Sequence, residues 1–135
     1  MSQENVETVR LLVERWNVGG RVFDDLADIF DPAFELDGPL ASVAGEPYQG
    51  HTGIEKWTRD IDEQFSEWHM VPEAVWDVGN QVISLGAIRA LGRASGIVVE
   101  FRSGAVVTFG ADGRITRIRL YADPDEALKA VGLEE

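Results

Sequence analysis

The chain contains no cysteine, so disulfide staples and thiolate chemistry are excluded outright. It has two histidines, His51 and His69, so a zinc site would have to be completed by carboxylates. No ligand spacing supports one, and no metal is expected. Long apolar runs are also missing. None approaches the roughly 18 residues that a membrane span needs, and the opening MSQENVETVR is polar rather than the apolar stretch of a targeting signal. The expectation is a soluble cytoplasmic protein with no membrane partner. Cations are scarce, with 12 Lys and Arg against 24 Asp and Glu and a formal charge of −12. Phosphate-backbone affinity is carried by Lys and Arg, so a nucleic-acid partner is not expected.

What is present suffices for one domain over residues 1–135, since 135 residues with 44% hydrophobic content can bury a core without staples. From Glu4 to Val18, apolar residues at Val6, Val9, Leu12, Val13 and Trp16 fall at helical spacing, and VGG at 18–20 supplies a stop. Phe23, Leu26, Ala27, Ile29 and Phe30 suggest a second helix, ended by Asp31-Pro32. AFEL then alternates as a short strand, and LASVAGEPYQG reads as a loop. Thr52 and Glu55 have the form of a capping box before Ile54, Trp57, Ile61 and Phe65, which predicts a third helix. From about Val71 the period becomes two, with turns at DVGN, GRASG and GADG, which predicts an antiparallel meander. DPDEALKAVGL, with Asp123 as cap and Pro124 in the first turn, predicts a short helix covering part of the sheet. The class is α+β, one layer of helices on one sheet face with the other face left free.

In that order, ENVETVRLLVERWNVGG, IFDP, YQGHTGIEKW, the meander and RIRLYADPDEAL resemble the SnoaL-like branch of the nuclear-transport-factor-like, ketosteroid-isomerase-like (cystatin-type) superfamily, over essentially the whole chain. The resemblance implies a cone, in which helices pack on the concave face of a curved antiparallel sheet and enclose an apolar pocket. It implies no cofactor. Its members include polyketide cyclases, ketosteroid isomerases, limonene epoxide hydrolases, dehydratases and non-catalytic binding proteins. Where ketosteroid isomerases keep an aspartate base, a tyrosine and a protonated aspartate, this chain has Gly38, Leu12 and Ala105. Where epoxide hydrolases keep their last-strand aspartate it has Leu120, and the other pair of that triad falls near Gly86 and Ile88. Asp37 and His51 remain as candidates for a catalytic base. Asp37 reads first as a surface or turn residue, and His51 as a loop-to-helix junction.

With Ala105 facing the pocket, alternation brings Phe101, Ser103 and Val107 with it, and the last strand adds Ile118 and Leu120. The expected ligand pocket is Leu12, Trp16, Tyr48, Trp57, Ile88, Phe101, Ser103, Ala105, Ile118 and Leu120, with Ser84 as a further polar group. A register shifted by one residue would instead bring Glu100 or Arg102 inward. The opposite face mixes Ile83, Leu85 and Val106 with Arg89, Arg102, Arg117, Arg119 and Tyr121. Residues 89–119 hold six arginines against Glu100 and Asp112. That mixture suits a protein interface, and a homodimer through the outer sheet face is expected. The functional classes left open are a cofactor-free isomerase, cyclase or dehydratase acting on a hydrophobic small molecule, a non-catalytic binder of one, and a dimeric module with a vestigial pocket.

Overall fold

The structure is a computed structural model, and it describes residues 2–17, 26–38 and 47–132. The expected stop at 18–20, the start of the second helix at Phe23 and most of the 40–50 loop lie outside these residues. Helix α1 spans Ser2–Asn17, the one-turn α2 Leu26–Ile29 and β1 Phe30–Asp37. Strand β2 (Tyr48–Gln49) leads into α3 (Gly50–Gln64), and β3 (Phe65–Val78), β4 (Gln81–Gly92), β5 (Val98–Phe109) and β6 (Ile115–Tyr121) form the meander before α4 (Pro124–Ala130). The six strands make one sheet in the order β2-β1-β6-β5-β4-β3, with β1 parallel to β6 and every other pair antiparallel.

Three local expectations are corrected. Asp31-Pro32 does not end a helix but lies inside β1, where pairing with β6 slips between Phe30 and Glu35. Proline has no N–H to give a ladder, so a bulge is where a strand tolerates it, and the Asp31 side chain accepts from Ala33 N at 2.8 Å to hold the kink. Helix α3 begins at Gly50 rather than Thr52, and its N-cap, Gln49, makes no side-chain cap bond. The proposed capping box therefore sits inside the first turns. Finally, β3 starts at Phe65 rather than at about Val71, which places His69 in mid-strand, paired with Arg89.

The inner face of the sheet meets α1 and α3. Val6 and Val9 of α1 and Ile54 and Trp57 of α3 bury against Phe30, Phe34, Leu36, Val82, Val107 and Ile115, each large side chain contributing about 1.5–3 kcal/mol. The C-terminal end of α1 is fixed by polar contacts to β3. Trp16 Nε1 donates to Trp68 O at 2.7 Å, Asn17 Nδ2 donates to Met70 O at 2.6 Å, and Met70 N donates to Asn17 Oδ1 at 2.9 Å. The Asn17 amide thus takes the place of a neighbouring strand at the sheet edge. Pairing of β3 with β4 shifts between Pro72 and Ala74. Before this bulge Trp68 and Met70 share the inner face; after it Trp76 turns to the outer one, where it packs beside Ile83.

Helix α4 corrects the expectation of a free outer face. Asp123 caps it by accepting from Asp125 N at 2.9 Å, and Ala127 packs with Ile83 and Val106, flanked by Leu85, Tyr121 and Leu128. Those strand residues point away from α1 and α3, so the sheet carries helices on both sides at this end. Gly104 makes the approach possible, because a Cβ there would stand 2.7 Å from the Ala127 Cβ. Gly104→Val is expected to push α4 off the sheet, lowering stability by about 1–3 kcal/mol in urea unfolding and opening the C-terminal segment to protease. Wild-type stability in this variant would show that α4 docking does not depend on the close approach.

Candidate functional site

Between the helices and the inner sheet face lies a cavity of about 160 Å³. Val9, Leu12, Val13 and Trp16 of α1, with Ile54 and Trp57 of α3, form its helical wall. The sheet side comes from Phe30, Phe34 and Leu36 of β1, Trp68, Met70, Val71 and Pro72 of β3, Ser84, Gly86, Ala87 and Ile88 of β4, Ser103, Gly104, Ala105 and Val107 of β5, and Ile118 and Leu120 of β6. None of these residues is charged. Trp16 and Trp57 stack at 5.0 Å between ring centroids. The indole N–H groups of Trp57 and Trp68 are sealed in the wall without a partner.

Of the residues expected to surround a pocket, the structure brings together Leu12, Trp16, Trp57, Ile88, Ser103, Ala105, Ile118 and Leu120. Phe101 and Tyr48 are not among the lining residues. Phe101 shares the inner face but lies farther along β5, 6.1 Å from the Trp68 ring. Tyr48 packs against the core, and its hydroxyl donates to Asp60 Oδ2 at 2.8 Å. The β3 wall was missed, although the alternation of Glu67 and His69 with Trp68 and Met70 was a usable signal. The arginines stay outside. Arg102 pairs with Glu73 at 3.1 Å, and Arg117 reaches Asp37 at 2.6 Å and Glu35 at 3.8 Å. Arg119 lies 3.6 Å from Asp37 and over the Tyr121 ring at 5.5 Å. Arg89 stands opposite Glu100 on the same outer face.

Neither candidate base reaches the cavity. Asp37 leaves β1 on the outer face, and its hydrogen bond raises the pKa of Arg117, the nearby Asp37 and Glu35 charges adding to the effect. Gly38, where the family resemblance puts the isomerases' base, has a φ of +111°, and a Cβ on it would overlap the backbone oxygen of Leu120. This backbone therefore has no room for a side chain there. His51 lies in the first turn of α3, where Nε2 donates to Phe30 O at 3.0 Å and ties the helix start to β1. That bond requires the tautomer protonated on Nε2. His69 is exposed on β3, and among the described residues no group of three or more His, Asp and Glu side chains could hold a metal ion.

With this geometry in place, comparison with known proteins is informative. A SnoaL-like domain model matches residues 9–118, and the chain belongs to the SnoaL-like family, with the nuclear-transport-factor-like, ketosteroid-isomerase-like fold. An NTF2-like protein of unknown function from Burkholderia pseudomallei is similar at 18% identity and a TM-score of 0.76, over 95% of this chain and 97% of that one. TerC, crystallised with polyporic acid, is 15% identical with a TM-score of 0.74, over 94% and 97% of the two chains. A hypothetical protein with a ketosteroid-isomerase-like fold from Catenulispora acidiphila, in complex with trimethylamine, is 16% identical with a TM-score of 0.72, over 94% and 93%. No functionally curated protein matches the sequence. At these identities the solved structures establish the fold. Among the described residues no helix is long and apolar enough to cross a membrane.

The Tyr48–Asp60 contact gives the neighbourhood a measurable pH signature. Burial first, then the hydrogen bond and charge of Asp60, push the Tyr48 phenol from 10.0 up to about 12. The Asp60 carboxyl is lowered, chiefly by the Tyr48 hydrogen bond and then by Lys56, against an opposing effect of burial. The Tyr48 contribution to stability is complete below pH 10.0 and is lost as pH rises through about 12. The Asp60 contribution is present above pH 3.8 and is lost as pH falls through its lowered value. A phenolate absorbance titration is expected to show one tyrosine ionising near pH 12, with its midpoint falling in Asp60→Asn. An unchanged midpoint in that variant would remove the Asp60 contact as a cause.

Proposed function

We propose that this protein binds a neutral, largely apolar small molecule in the cavity and does not turn it over by general acid/base catalysis. One observation carries the reading: all the described lining residues are uncharged. Burying an ion against such a wall costs several kcal/mol without a counter-charge, so a protonated amine or a carboxylate fits poorly. A general acid or base has to stand within about 2.6–3.2 Å of the proton it moves, and neither Asp37 nor His51 lines the space. The cavity size also supports a small ligand, since an apolar cavity of about 150 Å³ accommodates a benzene ring.

A neutral fluorescent probe of the naphthylamine type is expected to bind with changes in tryptophan emission, because Trp16, Trp57 and Trp68 all stand in the wall. Ala105→Phe, which fills the space from the sheet side, should weaken the probe by about tenfold or more while the protein still unfolds cooperatively. A steroid enone, a small epoxide and an aromatic polyketide methyl ester should show no turnover above background. Turnover that disappears in Asp37→Asn or His51→Ala would reject the binding-only reading. Loss of both binding and turnover in the native protein would leave a module with a vestigial pocket.

We further propose a homodimer through the part of the outer face that α4 leaves uncovered. Arg89 and Glu100 are direct cross-strand neighbours there, beside Leu91 and the half-exposed Val98. A two-fold axis over this pair sets each arginine against the partner's glutamate, a self-complementary arrangement. Arg117 and Arg119, expected to share the interface, already have carboxylate partners within the chain. Light scattering at tens of micromolar is expected to show a dimer that Glu100→Arg dissociates and the double exchange Arg89→Glu/Glu100→Arg restores. A monomeric native protein, or a dimer indifferent to the single exchange, would refute this assignment.

A further inference from the structure

We infer that the cavity recognises one neutral oxygen of its ligand, a carbonyl or a hydroxyl, through the hydroxyls of Ser84 and Ser103. This rests on the reading of the cavity as an apolar ligand site and specifies the chemistry of that ligand.

In the β4–β5 ladder Ser84 pairs with Ala105 and Gly86 with Ser103. The four residues form a two-by-two block of small side chains, and all four line the cavity. Larger pairs bound the block on either side, Val82 with Val107 and Ile88 with Phe101. Gly86 lets the β3 backbone close over this part of the wall, because a Cβ there would overlap the backbone oxygen of Val71. The two serines occupy one diagonal of the block, and among the described residues neither hydroxyl has a hydrogen-bond partner. Nor are they sealed like the indole N–H groups of Trp57 and Trp68. A half-buried hydroxyl aimed into an apolar cavity contributes nothing to packing that alanine would not, and it is left to pair with what enters the cavity.

Geometry favours one shared partner. Diagonal neighbours on an antiparallel pair stand about 7 Å apart, too far for the two hydroxyls to bond each other. That separation is between the residues; turned toward each other, the two hydroxyl oxygens come to about 4–5 Å, which admits a single oxygen about 2.8 Å from each. A carbonyl oxygen has two lone pairs and takes both hydroxyls as donors, whereas an alcohol accepts from one serine and donates to the other. A carboxylate would bring an uncompensated charge against an uncharged wall, and a hydrocarbon would leave both serines unpaired.

The test compares ligands that match in size and differ at one oxygen. Ethylbenzene, acetophenone and 1-phenylethanol are titrated by displacement of the neutral naphthylamine probe, using the native protein and the Ser84→Ala/Ser103→Ala double variant. Reading each ligand against itself in the two proteins removes differences in water solubility. The double substitution is expected to weaken acetophenone, 1-phenylethanol or both by about tenfold and to leave ethylbenzene unchanged or tighter. The more strongly affected ligand identifies the oxygen as carbonyl or alcohol. Ethylbenzene binding also verifies that the double variant retains the cavity. Equal effects on all three ligands, or none on the two oxygenated ones, would overturn the inference while the apolar-site reading stands. Failure of all three to bind the native protein would overturn that reading, and the inference with it.

Discussion

Adjacent residues of a strand must leave the sheet on opposite faces. In β5 this sends Ser103, Ala105 and Val107 toward the cavity, while Arg102, Gly104 and Val106 turn outward. The neighbours obey the same division, with Ile118 and Leu120 inside and Arg117 and Arg119 outside on β6. A slip of one residue would drive guanidinium groups into the core and expose its apolar side chains, so the register is held by both faces together. The carboxylates of Glu35 and Asp37 add an outer-face check where β1 runs parallel to β6, because they lie opposite Arg117 and Arg119 in the ladder.

This division also governs the chemistry. The chain is rich in carboxylates, yet the one nearest the isomerases' base position, Asp37, is committed to arginines on the far side of the sheet. Its neighbour Gly38 is pressed against the Leu120 backbone. A carboxylate at residue 38 would therefore require a different path for the chain. What remains on the inner wall is hydrocarbon, indole, the Met70 thioether and two serines.

Legibility in the sequence followed how cleanly each element separates its environments. Strands β4 to β6 have one apolar and one charged or helix-covered face, so their alternation could be read directly from Ser103, Ala105, Arg117 and Ile118. Strand β3 could not be read as a whole, since the bulge near Glu73 reverses which parity faces inward and separates Trp68 from Trp76. Thr52 and Glu55 satisfied a local capping pattern, but the turn had already begun at Gly50, a glycine with φ of +70°. His51 then serves the junction through a carbonyl 21 positions away in the chain. Tyr48 was misplaced for a similar reason: its aromatic ring suggested a pocket wall, whereas its hydroxyl is claimed by Asp60. Such distant pairings leave no local signature. The outer placement of α4 was equally hidden, because it depends on what the missing Cβ of Gly104 allows.

The Asn17 side chain has a consequence for self-association. Strand β3 ends the sheet order, and a strand edge with open N–H and C=O groups is a template on which another chain can lay a strand. Asn17 occupies both groups of Met70, and Trp16 occupies the carbonyl of Trp68. The same helix end that walls the cavity therefore stops the sheet from growing. Any motion that lifts α1 at this end also uncovers the edge and with it the risk of strand addition between molecules.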